Sequence, residues 1–114
     1  MKIIDIADIL NGKLICCSEQ AETEVYSACA SDMMSDVLAF VKDQAVLVTG
    51  LTNPQVIRTA EMLDMKCVVF VRGKKPDATT VKLAESKDIV IICTEEKMFS
   101  ACGKLFDGGL KAGF

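Results

Sequence analysis

Residues 45–63 read Ala-Val-Leu-Val-Thr-Gly-Leu-Thr-Asn-Pro-Gln-Val-Ile-Arg-Thr-Ala-Glu-Met-Leu, and this stretch decides the fold class. Its first five residues form an almost unbroken apolar run, which is typical of a strand buried on both faces of a sheet. A turn begins at Gly50, and Asn53 followed by Pro54 is the pattern of a helix cap and first helical position. Apolar residues at helical spacing follow. The stretch therefore predicts a strand, a turn and a helix.

The same unit recurs twice further along the chain. Residues 67–71 and 89–93 are again strands that are apolar at nearly every position. Asp77 is expected to cap the helix after the first, and Thr94 the helix after the second, which the glycine pair beginning at Gly108 ends. Doubly buried strands that alternate with helices indicate a parallel sheet between two helical layers. The sequence predicts an α/β protein, a three-layer α/β/α sandwich with a mostly parallel central sheet.

The N-terminal part is less regular. Residues 2–11 predict a short helix that Asn11 ends in a left-handed turn. Residues 13–17 and 25–30 are strand candidates, joined by a polar loop, and Ser35 is expected to cap a short helix. Because these two strands precede the regular units, they are expected to run antiparallel or to lie at an edge.

Composition predicts one domain, over residues 1–114, with apolar surface to spare. The chain has 114 residues, of which 51% are hydrophobic. Doubly buried strands account for much of this excess, and the remainder lies in Met33, Met34, Phe40 and the helix over residues 99–106. The Met33-Met34 pair either fills core gaps or meets a second subunit. We therefore expect a homodimer.

Charge and missing residue types exclude several functions. Thirteen basic against sixteen acidic residues give a net charge of −3, which argues against a nucleic-acid binder. No apolar run is long enough to span a membrane, and acids within the apolar N-terminus argue against a signal peptide, so a cytoplasmic protein is expected. There is no histidine, the commonest acid–base catalyst and metal ligand. We expect no catalytic residue, no metal site and no cofactor.

The six cysteines favour buried thiols in a reducing compartment. No pair has C-x-x-C spacing, and most lie in or beside predicted strands, where cysteine behaves as a small hydrophobe. In a strand, Cys16 and Cys17 would point to opposite faces, which predicts that one of them is exposed and oxidisable.

Candidate binding residues follow the predicted strands. In sheets of this kind, ligands bind at the carboxyl ends of the strands, where loops lead into helix N-termini that favour anions. The residues predicted to bind a ligand there are Thr49, Gly50, Thr52, Asn53, Arg72, Gly73 and Lys74. Ser31, Asp32, Met33 and Met34 are candidates for the ligand site or an interface, the first two if their strand runs parallel. The alternative is that these are turn residues, caps and a solvated loop, since neither a dinucleotide fingerprint nor a phosphate loop is present.

The strings at residues 30–40, 48–60 and 69–73 resemble DRTGG-domain proteins. The two turns for which the family is named fall here at residues 50–53 and at Arg72-Gly73, where Asp-Arg-Thr is replaced and one glycine of the second motif stands. The resemblance implies a sandwich similar to the N-terminal domain of HPr kinase/phosphorylase, without its kinase domain. It further implies a stand-alone module of the kind associated with iron-only hydrogenase genes. Related domains accompany CBS nucleotide-sensing modules.

Together these observations favour a non-enzymatic regulatory or ligand-sensing module. We expect a homodimer that binds a small anionic metabolite or nucleotide, a redox partner such as a hydrogenase, or both. The alternative is a small thiol- or phosphoryl-transfer enzyme that uses the strand-end Cys93 with Asp32 or Lys74.

Overall fold

The computed structural model describes residues 1–41 and 45–112, apart from the side chain of Phe40. That side chain, which the sequence assigned to the apolar excess, lies outside the described part. The helices are α1 (Ile3–Ile9), α2 (Met34–Phe40), α3 (Pro54–Met62), α4 (Ala78–Ser86) and α5 (Met98–Asp107). The strands are β1 (Lys13–Cys16), β2 (Ala28–Ala30), β3 (Val46–Thr49), β4 (Cys67–Phe70) and β5 (Val90–Cys93).

The five strands form one mixed sheet in the order β1-β5-β4-β3-β2. Strands β2, β3, β4 and β5 run parallel to one another, and β1 pairs antiparallel with β5 at one edge. The prediction of a mostly parallel sheet is confirmed, and each of the first two strands lies at an edge.

The helices form two unequal layers. From β2 to β5 each strand is followed by its spatial neighbour, so right-handed crossovers put α2, α3 and α4 on one face, where they pack side by side. Helix α5 leaves β5 toward the other face, where it contacts α1 and β3. The three-layer α/β/α sandwich is thus confirmed. The connections after β4 and β5 leave toward opposite faces, and such a divergence opens a crevice at the carboxyl ends of the two strands.

The central strands carry the core. All four residues of β3 and of β4 are buried, and Phe70 is the largest side chain without solvent exposure. Helix layers on both sides of the sheet explain why these strands are apolar at every position. No helix in the described ranges is long and apolar enough to cross a membrane.

Several predicted helix ends are confirmed. The Asp77 carboxylate accepts from the Thr80 N–H at 2.9 Å and caps α4. Asn53 and Pro54 hold the cap and first positions of α3. Asn11 has a left-handed φ of 49° after α1, and α5 ends at the Gly108-Gly109 pair.

Two predicted caps are wrong. Helix α2 begins at Met34 after Met33, one residue before Ser35, because the Ser31 hydroxyl accepts from the Met33 N–H at 3.0 Å and forms the turn earlier. Helix α5 begins after Lys97 rather than Thr94. The Thr94 hydroxyl instead donates to the Leu10 carbonyl at 2.7 Å, so it joins the end of β5 to the end of α1.

The prediction for the paired cysteines is also wrong. Strand β1 ends at Cys16, and Cys17 has a left-handed φ of 61°, so the strand's alternation stops between them. Both side chains are buried. Strand β2 is shorter than predicted, since the Val25 N–H donates to the Met1 carbonyl at 2.8 Å and the strand starts at Ala28.

Candidate anion site

The carboxylate of Asp32 joins the loops that follow β2, β3 and β4. Because β2 runs parallel, Asp32 lies at the same edge as the other strand ends. Its Oδ1 accepts from the Gly50 N–H at 2.7 Å and from the Thr49 hydroxyl at 3.2 Å. Its Oδ2 lies 3.2 Å from Arg72 Nη2. We call Asp32, Thr49, Gly50 and Arg72 the Asp32 cluster.

Glycine at position 50 makes room for the arginine. A Cβ at Gly50 would lie 1.8 Å from Arg72 Nη2, so the guanidinium occupies the place of a side chain. The backbone of Arg72 has a left-handed φ of 61°, and its N–H donates to the Glu96 carbonyl at 2.8 Å. The turn after β4 is thereby tied to the loop after β5.

These contacts favour the ionised form of Asp32. Donation from the Gly50 N–H, helped by Arg72 and the Thr49 hydroxyl, holds the pKa of the Asp32 carboxyl below its ordinary value. The anion that Gly50 and Arg72 bind is therefore the protein's own Asp32 carboxylate.

A second group of residues lines the crevice where the β4 and β5 connections diverge. This crevice has a volume of about 230 Å³ and opens to solvent. The residues that line it are Asn11, Lys13, Gly73, Lys74, Lys75, Cys93, Thr94 and Glu95. We call it the lysine crevice. Lys13, Lys74 and Lys75 are exposed, and none of them forms an ion pair with any residue that the structure describes.

Gly73 closes one side of the crevice. It has a left-handed φ of 70°, and its N–H donates to the Thr94 carbonyl at 3.0 Å. A Cβ there would lie 2.5 Å from Glu95 Oε2. The left-handed backbone favours glycine at this position, and the Glu95 carboxylate occupies the space that a side chain would take.

Cys93 lies in the crevice, where its surroundings disfavour the thiolate. Burial raises its pKa, and the charge of Lys75 opposes this increase only in part. A nucleophilic cysteine needs the opposite shift, because the thiolate is the reactive form. Burial also raises the pKa of the other five thiols, to about 12 for Cys17 and about 11 for Cys29.

The structure brings only part of the predicted site together. Gly73 and Lys74 line the crevice, beside the Asp32 cluster. The Thr52 carbonyl instead accepts from the Thr80 hydroxyl at 3.3 Å, toward α4, and Asn53 holds the N-cap position of α3 without a capping hydrogen bond from its side chain to the described residues.

The other candidates near Asp32, which are Ser31, Met33 and Met34, lie in three different environments. Ser31 shapes the turn before α2. Met34 is buried in the core, whereas Met33 is 58% exposed.

Sequence reasoning missed Lys13 and Asn11. They precede the regular strand–helix units, so the carboxyl-end rule did not include them. Antiparallel β1 starts where β5 ends, and Lys13 pairs with Cys93. The sequence did allow this strand to run antiparallel, and an antiparallel β1 places its first residue, Lys13, beside the carboxyl ends of the other strands.

The acids and thiols that the structure describes are not placed to form a metal site. Among residues 1–41 and 45–112, no group of three or more cysteine, aspartate or glutamate side chains is placed to hold a metal ion.

The fold is similar to a solved structure, the CBS and DRTGG domains of the regulatory region of Clostridium perfringens pyrophosphatase, complexed with its activator, diadenosine tetraphosphate. The TM-score is 0.72 at 15% sequence identity, with 97% of this chain and 50% of that chain covered. This chain thus spans about half the length of that one. A search of curated proteins finds no match. The model of the DRTGG domain matches residues 5–106, nearly the whole chain, and the protein therefore belongs to the DRTGG domain family.

Proposed function

We propose that this chain is a non-enzymatic regulatory module of one domain, residues 1–114, which binds a nucleotide or another phosphate-bearing metabolite in the lysine crevice and acts as a homodimer. The observation that carries the ligand proposal is the convergence of Lys13, Lys74 and Lys75, without ion-pair partners among the described residues, on one open crevice. Ammonium groups in this arrangement suit the oxygens of a phosphate.

The position of the crevice supports the same ligand. It lies between connections that leave the sheet toward opposite faces, the place where open α/β sheets bind their ligands. Among the residues that the structure describes, Glu95 is the one acid in its lining, so the charge of the lining favours an anion.

The Asp32 cluster has a different part in this proposal. Its arginine and its Gly50 N–H already hold the carboxylate of Asp32, so an incoming phosphate finds free cations in the lysine crevice rather than at Arg72. Binding at residues 49–53 together with Arg72, as predicted from the sequence, would require displacement of Asp32. The cluster fixes the turn that carries Lys74 and Lys75.

The related pyrophosphatase region was solved with a nucleotide activator, which supports nucleotides as the first ligands to test. A hydrogenase or other redox protein as partner, and a cytoplasmic location, stay predictions of the sequence. The raised pKa of Cys93 argues against the alternative of a thiol-transfer enzyme.

The test is a thermal-shift panel of AMP, ATP, diadenosine tetraphosphate and acetyl phosphate at millimolar concentration, with inorganic phosphate and adenosine as controls. At a concentration 100 times Kd a ligand stabilises the folded state by about 2.7 kcal/mol. We expect nucleotides to raise Tm and adenosine to leave it unchanged, with the shift smaller at high salt. The absence of a shift with every phosphate-bearing compound would contradict the proposal.

A further inference from the structure

Helix α5 exposes an apolar stripe. Phe99, Cys102, Gly103 and Phe106 are three, four and seven positions apart, so they share one side of the helix. Phe99 is 91% and Phe106 65% exposed. Single exposed apolar residues are normal on protein surfaces, but two aromatic rings on one helix face indicate a binding surface. We call these four residues the α5 stripe.

An apolar groove runs beside the stripe. It lies between α5 and β2, has a volume of about 200 Å³, and its walls include Cys29, Ala30 and Val48. The groove exists because this face of the sheet carries two helices whereas the other carries three, and at the β2 end residues 110–112 complete its wall, with Lys111 bridged to Ser27.

The stripe is complementary to a second copy of itself. A two-fold axis between Cys102 and Gly103 would place Phe99 of one copy opposite Phe106 of the other, because each is three and a half positions from the axis. No described atom lies within 4 Å of the point where a Cβ would stand at Gly103, so a partner helix can approach closely at the crossing. A two-fold interface requires such a self-complementary patch.

The charges at the two ends of α5 favour the same antiparallel arrangement. Lys97 precedes the helix and Asp107 ends it, and neither forms an ion pair with another described residue. Each charge lies at the end of the helix dipole that disfavours it. An antiparallel second α5 reverses the dipole at each end and brings Lys97 within one residue of the register of Asp107 of the second copy.

The exposed area of the two phenylalanine rings is a substantial part of what a dimer interface of standard size buries. At about 200 Å² per ring, Phe99 and Phe106 together expose roughly 300 Å² per copy. A standard interface buries about 800 Å² on each partner. The two rings thus provide more than a third of it, before the groove walls are counted.

We propose that two copies of this chain associate through the α5 stripe, with α5 packed antiparallel against α5 of the second copy and the rings beside the two grooves. This inference rests on the homodimeric part of the proposed function and is independent of its ligand part.

The first test measures molar mass by light scattering at micromolar concentration. We expect a dimer for the wild type, and at least a roughly tenfold higher dissociation constant for Phe99→Glu, because hot-spot aromatic residues at interface centres commonly contribute this much. Met62→Glu is the matched control, since Met62 is also exposed (69%) but lies on α3. Both side chains project into solvent, so circular dichroism should show both variants folded.

The second test uses cysteine chemistry at the axis. Oxidation by copper phenanthroline in air should join the two Cys102 thiols, which requires Cα atoms about 4.4–6.8 Å apart. Cys102→Ser should abolish the covalent dimer and Cys93→Ser should retain it.

The outcomes separate this inference from the proposed function. A wild-type dimer that Phe99→Glu leaves intact, or whose cross-link does not need Cys102, would place the interface on another face and overturn the inference alone. A wild-type monomer at all concentrations would overturn both the inference and the proposed homodimer. The α5 stripe would then be a candidate binding surface for a different protein.

Discussion

Asp32 links the ends of three strands through one carboxylate. The group accepts from the loop after β3 and faces the arginine after β4, while its own backbone follows β2. Gly50 makes this possible by leaving space for the guanidinium. At the residue scale, therefore, the Asp32 cluster joins the loops at the carboxyl ends of β2, β3 and β4.

Gly50→Ala should break the contact between Arg72 and Asp32. The new methyl group would occupy the position of Nη2, and the flexible arginine would move away. We expect Gly50→Ala and Arg72→Ala each to lower the free energy of unfolding by about 1 kcal/mol or less, because the pair is partly exposed. The double variant should be no less stable than Gly50→Ala alone. Urea unfolding measures this, and additive losses would show that the two residues act separately.

Asp32→Asn should have a pH-dependent effect on stability. The pKa of Asp32 is lowered in the folded protein, so its stabilising effect is fully present above the unfolded pKa of about 3.9 and is lost as pH falls through the folded pKa. We expect the variant to be less stable than the wild type at pH 7, by about 1 kcal/mol or less. The difference should disappear in acid. Denaturation curves at several pH values measure it, and a constant difference would refute the role given to the charge.

At the scale of elements, the Thr94 side chain joins a helix to a strand. Its buried hydroxyl donates to the Leu10 carbonyl and accepts from the Glu96 N–H at 3.1 Å, so it fixes the end of α1 against the end of β5. Thr59 is buried in α3, and its hydroxyl has no hydrogen-bond partner within the described structure.

Thr94→Val and Thr59→Val therefore form a matched pair. Both remove a buried hydroxyl at nearly constant volume. Thr94→Val leaves the Leu10 carbonyl without its donor and should lower the free energy of unfolding by about 1–3 kcal/mol. Thr59→Val removes an unpaired polar group and should be neutral or stabilising. Equal losses in thermal or urea unfolding would contradict this assignment.

The sequence predicted elements better than it predicted contacts. Apolar residues at every position identified β3, β4 and β5, because burial on both faces leaves a local pattern. Asp77 was recognised because its partner is three residues away. Thr94 was misassigned because its partner, Leu10, is distant in sequence. Lys13 was missed because its place depends on strand pairing, which the local pattern does not encode.

At the scale of the whole molecule, one topology explains both proposed surfaces. The chain advances through β2, β3, β4 and β5 with three helices on one face and then sends α5 to the other. This change of side opens the lysine crevice at the carboxyl ends of β4 and β5. It also leaves two helices on the second face, with a groove beside the α5 stripe.

Calorimetric titration of ATP into the wild type, Lys74→Ala/Lys75→Ala and Lys82→Ala tests the central claim most directly. Lys82 is an exposed lysine of α4 outside the crevice and serves as the control. We predict that the wild type and Lys82→Ala bind with equal affinity, and that the double variant binds at least roughly tenfold more weakly, a loss of about 1.4 kcal/mol. Equal affinity of the double variant and the wild type, or no binding to the wild type, would contradict the account.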